Sequence, residues 1–329
     1  MDRLSEYINK FNNATVLVVG DIIADHYVWG KVERISPEAP VPIVDVQSES
    51  YLLGGAGNVS SNIISLGGKV RICGVVGKDD MGRWIINRLK SDGVCTDGIV
   101  VEEGRPSSKK TRVIAHNQHV VRFDHESRGE ITPHSQDIIH EYIRTHINDI
   151  KVIVISDYAK GVITKNLVKS ILQLAADNNL CVIVDPKLKH FDFYTGATVI
   201  TPNTSEASMA SGLSISDDET LLKAGNILLN QSNAEAILIT RSEHGMSLFQ
   251  RNNDVTHIPA VAREVYDVTG AGDTVVSTLA LSVAAGASLR DAALLANYAG
   301  GIVVGIVGTA TVHQDQLIAA LNDNRFPLP

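Results

Sequence analysis

The first strong pattern along the chain is TVLVVGD at 15–21, an uninterrupted β-branched run of the kind that fills a strand buried on both faces of a parallel sheet. AGNVSSNIISLGG (56–68) changes to helical spacing, with Asn58 near its start and glycines to stop it. KVRICGVVG, DDMGRWIINRLKSDG and VCTDGIVV then predict strand, helix and strand. The second half repeats the alternation through KVIVISD, TKNLVKSILQLAADNN, LCVIVDP, ATVIT, NTSEASMASG and DETLLKAGNILLNQS. AEAILITRS and MSLFQ predict two more strands, and two long apolar helices finish the chain. Strands alternating with helices imply an α/β fold whose mainly parallel sheet is covered on both faces.

Two stretches break that rhythm. YVWGKVERISPEAPVPIVDVQSESYLL (27–53) is β-rich and carries Pro37, Pro40 and Pro42, which belong at a sheet edge because proline cannot donate to a ladder. SSKKTRVIAHNQHVVRFDHE (107–126) alternates like a hairpin with HNQH at its tip. Together, segments at about 27–53 and 99–126 predict a small β lid on a single domain spanning 1–329.

Composition changes this picture little. The chain has 329 residues, 44% hydrophobic and 20% charged, with a net charge of -8 that argues against a nucleic-acid partner. Cys73, Cys95 and Cys181 form no C-x-x-C pair, so incidental thiols in a reducing compartment are expected rather than a disulfide framework. The charged N-terminus lacks a signal-peptide core, and the most apolar windows fall short of the ~20 residues of a membrane span. A cytoplasmic protein is expected.

The candidate chemistry collects where strands end, which is where open α/β sheets bind ligands. In EVYDVTGAGDTVVS (264–277), Gly270, Ala271 and Gly272 precede the lone carboxylate Asp273 and an apolar run of helical length. This predicts a tight turn feeding a helix N-terminus suited to an anion, with Asp273 either a cap or a base. Asp21 ends the first strand and Asp25 follows one turn later; each reads as a ligand contact or as a capping residue. GGAGN (54–58) is a poor dinucleotide fingerprint, because serine replaces the third glycine and no core strand precedes it. Close approach of Gly54 and Gly55 to a hydroxylated ligand fits better, with Asn58 contacting it or capping the helix.

SDYAKG (156–161) and VDPK (184–187) set Asp157, Lys160, Asp185 and Lys187 after buried strands, and the two lysines suit an anion or a solvated edge. In TPNTSE (201–206), Asn203 and Glu206 are spaced for a capping box or for a water-mediated Mg²⁺ site. His116 and His119 on the hairpin tip lack a third ligand for zinc. No Walker A sequence occurs.

GGAGNV near residue 55, DPK at 185–187, TPNTSE, TRSEHG at 240–245 and DVTGAGD at 267–273 resemble, in order and spacing, the ribokinase-like (pfkB) family of carbohydrate kinases. The resemblance spans essentially the whole chain and implies a ribokinase-like three-layer sandwich with a β lid. RISPEAPVPIV (34–44), SDYAKG, TRSEHGMSL and VYDVTGAGDT are similar to the family's heptose 7-phosphate kinases. That implies ATP-dependent phosphorylation of D-glycero-β-D-manno-heptose 7-phosphate at its anomeric C1 hydroxyl, toward ADP-heptose and lipopolysaccharide. On this resemblance Asp273 is the general base, and the amides of Gly270, Ala271 and Gly272 hold charge on the transferred group. Asn203, Thr204, Ser205 and Glu206 lie near the ATP phosphates and Mg²⁺, with Glu206 toward the metal. Thr240, Ser242, Gly245 and Asn297 line the nucleotide side. Asp21, Gly54, Gly55 and Asn58 hold sugar hydroxyls, with Asp25 secondary. Lys160, Lys187, Arg112 and Arg122 are chosen by charge and placement for the 7-phosphate.

Val268 stands where many relatives have threonine, which leaves a monovalent-cation site near this loop open. The lid implies a homodimer, with no nucleic-acid or membrane partner. The H-x-G-H motif of the adenylyltransferase that follows some heptose kinases is absent, so this is a stand-alone kinase or an excised domain, and a separate adenylyltransferase acts next. Two alternatives stay open: another kinase of the same family, or a non-catalytic sugar-phosphate sensor on the same scaffold.

Overall fold

A computed structural model describes residues 2–116, 118–252, 254–261, 265–306 and 310–323. The β-branched runs become strands of a nine-stranded sheet in the order β13-β12-β11-β10-β9-β8-β1-β4-β5. These are β1 (Thr15–Gly20), β4 (Lys69–Gly77), β5 (Cys95–Glu102), β8 (Val152–Ser156), β9 (Cys181–Asp185), β10 (Val199–Ile200), β11 (Ala236–Thr240), β12 (Met246–Gln250) and β13 (Val255–Ile258). Pairing is parallel from β5 to β11, and among the described strands β12 alone runs the other way, paired antiparallel with both β11 and β13.

Period-two alternation divides the core between two faces. Val16 and Val18 of β1 pack on one side with α1 (Asp2–Ile8), α2 (Ala56–Ser65), α3 (Asp80–Ser91), α8 (Ala271–Ala284), α9 (Leu289–Val303) and α10 (Gln314–Asn322). Leu17 and Val19 pack on the other with α4 (Pro133–His146), α5 (Lys165–Asp177), α6 (Thr204–Ser211) and α7 (Asp218–Ser232). The result is a three-layer α/β sandwich. Among the described residues no helix is long and apolar enough to cross a membrane, and the three cysteines are free thiols.

A second sheet of four strands has the order β3-β2-β6-β7, from β2 (Ile22–Ile35), β3 (Pro42–Gly55), β6 (Ser108–Ala115) and β7 (Gln118–His125). It is larger than the expected lid at its root, because β2 follows β1 after Asp21 alone and β3 runs directly into α2. Asp25 therefore lies in a strand, not one turn beyond Asp21. Ile99–Glu102, expected in the lid, belong instead to the edge strand β5, paired with β4. Pro42 opens the edge strand β3, as its missing N–H requires. Asn117 of the hairpin tip and Glu264 before the glycine turn lie outside the described residues. Strand β13 was not anticipated, since VTHI is too short and too polar to carry a period.

The passage between the sheets builds the site. Gly55 has φ 57°, and a Cβ there would lie 2.4 Å from the Asp21 carbonyl oxygen. That same carbonyl accepts the Ala56 N–H at 3.0 Å. Only glycine lets the lid strand return this closely to the end of β1.

Candidate active site

Helix α8 begins at Ala271 after Gly270, whose φ of 81° needs no side chain to turn the chain. The Ala271 N–H is spent within the turn on the Val268 carbonyl at 3.2 Å, so it is not one of the amides offered to an anion. A Cβ on Gly272 would meet nothing within 4 Å, so open space, not packing, lies beside the helix end. Asp273 is buried in the first turn. Its Oδ1 accepts the Tyr158 hydroxyl at 2.8 Å and its Oδ2 accepts the Asn58 amide at 2.7 Å. Both bonds reach other elements, so Asp273 does not act as a helix cap. Burial pushes its carboxyl up to about 6, against the pull of Asn58 and Tyr158; the Asp25 charge adds to the rise and Lys110 opposes it. A carboxylate in that range exchanges a proton near neutral pH.

Asn58 serves this carboxylate rather than capping α2, whose N-cap is Gly55. Asn62 donates to the Asn58 carbonyl at 3.0 Å, and Thr274 donates to Asn62 Oδ1 at 2.9 Å, tying α2 to α8 behind the site.

Asp21 has a different task from the sugar contact expected of it. Its Oδ2 accepts the amides of Tyr158 and Lys160 at 2.9 and 3.0 Å, and its Oδ1 accepts that of Val162 at 3.0 Å. Only 1% of the residue is exposed, which leaves no face for a ligand. Asp25 is the carboxylate that faces the site: a Cβ on Gly54 would lie 2.3 Å from its Oδ2, and Arg112 donates to its Oδ1.

Register puts the lid's charges on one face. Asp25 pairs with Lys110 and Tyr27 with Arg112 across β2 and β6, while Lys110 opposes Asp124 and Arg112 opposes Arg122 across β6 and β7. Burial lowers the Lys110 pKa; Asp25 opposes this, and the charges of Lys160, Arg122 and Arg112 deepen it. Four cations thus share one region, with Arg122 bonded to Asp124 at 2.6 and 2.9 Å and Lys160 to Glu126 at 2.7 Å. Lys187 is not among them. Its ammonium bonds Glu206 Oε1 at 3.0 Å, beside α6.

On that side Asn203 and Glu206 form the capping box: Asn203 Oδ1 accepts the Glu206 N–H at 2.9 Å, and Glu206 Oε2 accepts the Asn203 N–H at 3.1 Å. Glu206 thereby caps α6 with one oxygen and holds Lys187 with the other. Thr204 donates to the Thr240 carbonyl at 3.2 Å, linking α6 to the end of β11, and Ser205 and Ser242 are exposed. Gly245 has φ 78°, and a Cβ there would lie 2.0 Å from the Ile258 carbonyl oxygen, so packing already demands this glycine. Asn297 is buried and donates to the Pro259 carbonyl at 2.8 Å, bracing the chain after β13. Among the described residues no group of three or more His, Cys, Asp or Glu could hold a metal. Asp185 ends β9 with its carboxyl pushed well up by burial, then by the charges of Asp273 and Glu206.

Tyr158 and Lys110 went unnoticed in the sequence. Tyr158 lies inside SDYAKG between more conspicuous charges, and KK at 109–110 looks like a solvated pair. Alternation with Arg112 was the available sign for Lys110.

The chain is 48% identical over 305 residues to the bifunctional protein HldE of Geobacter sulfurreducens, covering 93% of this chain and 62% of that one. With the protein of that name from Pelobacter propionicus it shares 46% over 323 residues, covering 98% and 66%. It therefore spans less than two thirds of the curated relatives it matches. Among solved structures, Arabidopsis thaliana ribokinase complexed with ribose and ATP superposes with a TM-score of 0.75 at 17% identity, covering 94% of this chain and 99% of that one. Escherichia coli phosphofructokinase-2 in complex with potassium gives 0.75 at 17%, covering 93% and 97%. The fold is thus ribokinase-like, and with residues 13–316 matching the pfkB family carbohydrate kinase description, the chain belongs to that family.

Proposed function

We propose that this protein transfers the γ-phosphoryl group of ATP to the anomeric C1 hydroxyl of D-glycero-β-D-manno-heptose 7-phosphate, giving the 1,7-bisphosphate. The observation that carries the reading is Asp273: buried, raised to about 6, and set in the first turn of α8 with open space beside Gly272. Phosphoryl transfer asks a protein mainly for position and charge stabilisation. Asp273 takes the proton of the attacking hydroxyl, while the free amides and dipole of the α8 N-terminus receive charge developing on the transferred group. Asp25 and the backbone at Gly54 receive sugar hydroxyls. Lys187 moves from the substrate side to the nucleotide side, where it neutralises phosphate beside Glu206.

The lid face supports a phosphorylated rather than a free sugar. Arg112 and Arg122 stand directly opposite across two strands, each held by its own carboxylate, Asp25 and Asp124, so that two positioned guanidiniums are presented side by side to an anion. Lys110, Arg112, Arg122 and Lys160 are the residues proposed for the 7-phosphate. Mg²⁺ suits oxygen donors and needs only one or two carboxylates beside phosphate and water; Glu206, which bonds Lys187 and the Asn203 amide, is the carboxylate that would serve it. Glu206 would hold it through water, and the ion would neutralise nucleotide charge. The lid also supports a homodimer, since Val121 and Phe123 of its edge strand β7 are exposed. A cytoplasmic site of action and a downstream adenylyltransferase belong to the same proposal, the latter supported by relatives that are named bifunctional proteins.

The test is an ATP-dependent screen of seven-carbon sugars with and without a 7-phosphate, with ³¹P NMR to identify the oxygen phosphorylated. Equal turnover of the free sugar would overturn the cation assignment, and phosphorylation away from C1 would overturn the reaction.

A further inference from the structure

Tyr158 carries more structure than any role so far assigned to it. The turn that bears it is wound about two buried carboxylates. Asp21 accepts the amides of Tyr158, Lys160 and Val162, and Asp157 Oδ1 accepts that of Ala159 at 2.6 Å. Asp157 Oδ2 accepts in turn from the Tyr194 hydroxyl and lies against His190 Nδ1, both at 2.6 Å. Ala159 has φ 53° and Gly161 φ 95°, so the turn adopts dihedrals that these amide bonds must maintain. The ring has Lys110 of the lid and Lys187 of the nucleotide side at 5.3 and 5.5 Å from its centroid. Its hydroxyl ends on Asp273 Oδ1 at 2.8 Å. Backbone, ring and hydroxyl are all fixed before any ligand arrives, which is the condition for preorganisation.

We infer that Tyr158 is a positioning residue for the general base, its O–H fixing the rotation of the Asp273 carboxylate so that the remaining lone pairs face the acceptor hydroxyl. The inference rests on the reading of Asp273 as that base. A carboxylate has about four lone-pair sites, so Tyr158 and Asn58 occupy one on each oxygen and leave room for the substrate. In the transfer the acceptor's proton passes to Asp273 and its oxygen bonds the γ-phosphorus. The bond from that phosphorus to the β–γ bridging oxygen breaks, and ADP departs with the electron pair. Tyr158 keeps its own proton throughout, since burial and the Asp273 charge hold its phenol well above its ordinary range. The other groups facing Asp273 are Asn58 on α2, Asp25 on β2, Lys110 on β6 and Asp185 at the end of β9. A change confined to the Tyr158 hydroxyl leaves all of them in place.

Tyr158→Phe keeps the ring and removes only that donor. With ATP and heptose 7-phosphate, kcat is expected to fall about tenfold while both KM values stay within about twofold. The acid limb of kcat against pH is expected to move up by about one unit, because a carboxylate that loses a donor binds its proton more tightly. Apart from turnover, the ¹³C resonance of the Asp273 carboxyl should titrate higher than in the parent. Should Tyr158→Phe not fold, 3-fluorotyrosine at position 158, a stronger donor of nearly the same shape, should move the limb to lower pH. Parental kcat with an unmoved limb would overturn the inference; so would a raised sugar KM with kcat intact, which would make Tyr158 a substrate contact. Asp273→Asn separates the two levels. If it turns over normally, the base reading itself fails, whereas an inactive Asp273→Asn beside a normal Tyr158→Phe removes only the present inference.

Discussion

Replacing Asp273 with asparagine removes a charge and almost nothing of the shape, so stability and turnover should move in different directions. The folded carboxyl sits at about 6 because burial penalises its ionised form. Against an ordinary aspartate near ~3.9, that gap corresponds to about 3 kcal/mol of destabilisation at pH 7 and above. A carboxylate raised on folding leaves stability intact below the unfolded pKa and erodes it as pH climbs toward the folded one. Asparagine relieves that burden. It also brings an amide NH₂ toward Tyr158 or Asn58, both donors at present, and a mismatched buried donor costs about 1–3 kcal/mol. The net change at pH 7.5 should lie between about zero and +2 kcal/mol, so the melting temperature should not fall.

Turnover should drop by about 10²–10⁴-fold, the usual contribution of a general base. That is about 3–5 kcal/mol of barrier at ~1.4 kcal/mol per tenfold. Melting curves at pH 4 and 7.5 together with a coupled ADP assay read both quantities. At pH 4, where the parent's own carboxyl is protonated, that relief is gone and only the amide mismatch remains, so the variant should melt at or below the parent. Turnover within about threefold of the parent would refute the role of Asp273. A large loss of melting temperature at pH 7.5 would refute the burial argument.

The kinetics of Tyr158→Phe, given above, probe the same carboxylate from its partner. Arg122→Ala should raise the KM for the phosphorylated sugar about 10–100-fold, the worth of a charge-assisted bond to phosphate, with the KM for ATP unchanged in initial-rate assays. Gly54→Ala should raise the sugar KM several-fold at little cost in melting temperature, because its Cβ would meet a movable atom, Asp25 Oδ2, at 2.3 Å. Gly245→Ala should cost about 2–4 kcal/mol in denaturant unfolding, since at φ 78° its Cβ would meet the Ile258 carbonyl at 2.0 Å and backbone cannot step aside.

Most of the order of strands and helices was legible, with α4, α10 and β13 among the exceptions, because β-branched runs and amphipathic spacing are local properties, and a parallel sheet follows from their alternation. The glycine turn before Asp273 was legible for the same reason: Gly270 and a following apolar run announce a helix start within seven residues. The division of labour among the carboxylates was not. Asp21 and Asp25 look alike four residues apart, yet one faces three backbone amides in the interior and the other faces the lid's cations, because β2 leaves the main sheet between them. Lys160 and Lys187 likewise follow equivalent strands and go to Glu126 and Glu206, on opposite sides of Tyr158 in chain order. The bonds that define Asp273 join residues 115 and 215 positions apart. Local pattern decided which residue types arrive at the strand ends; only the close return of the lid strand at Gly55, and the packing of α8 across β8 and α2, decided which of them meet.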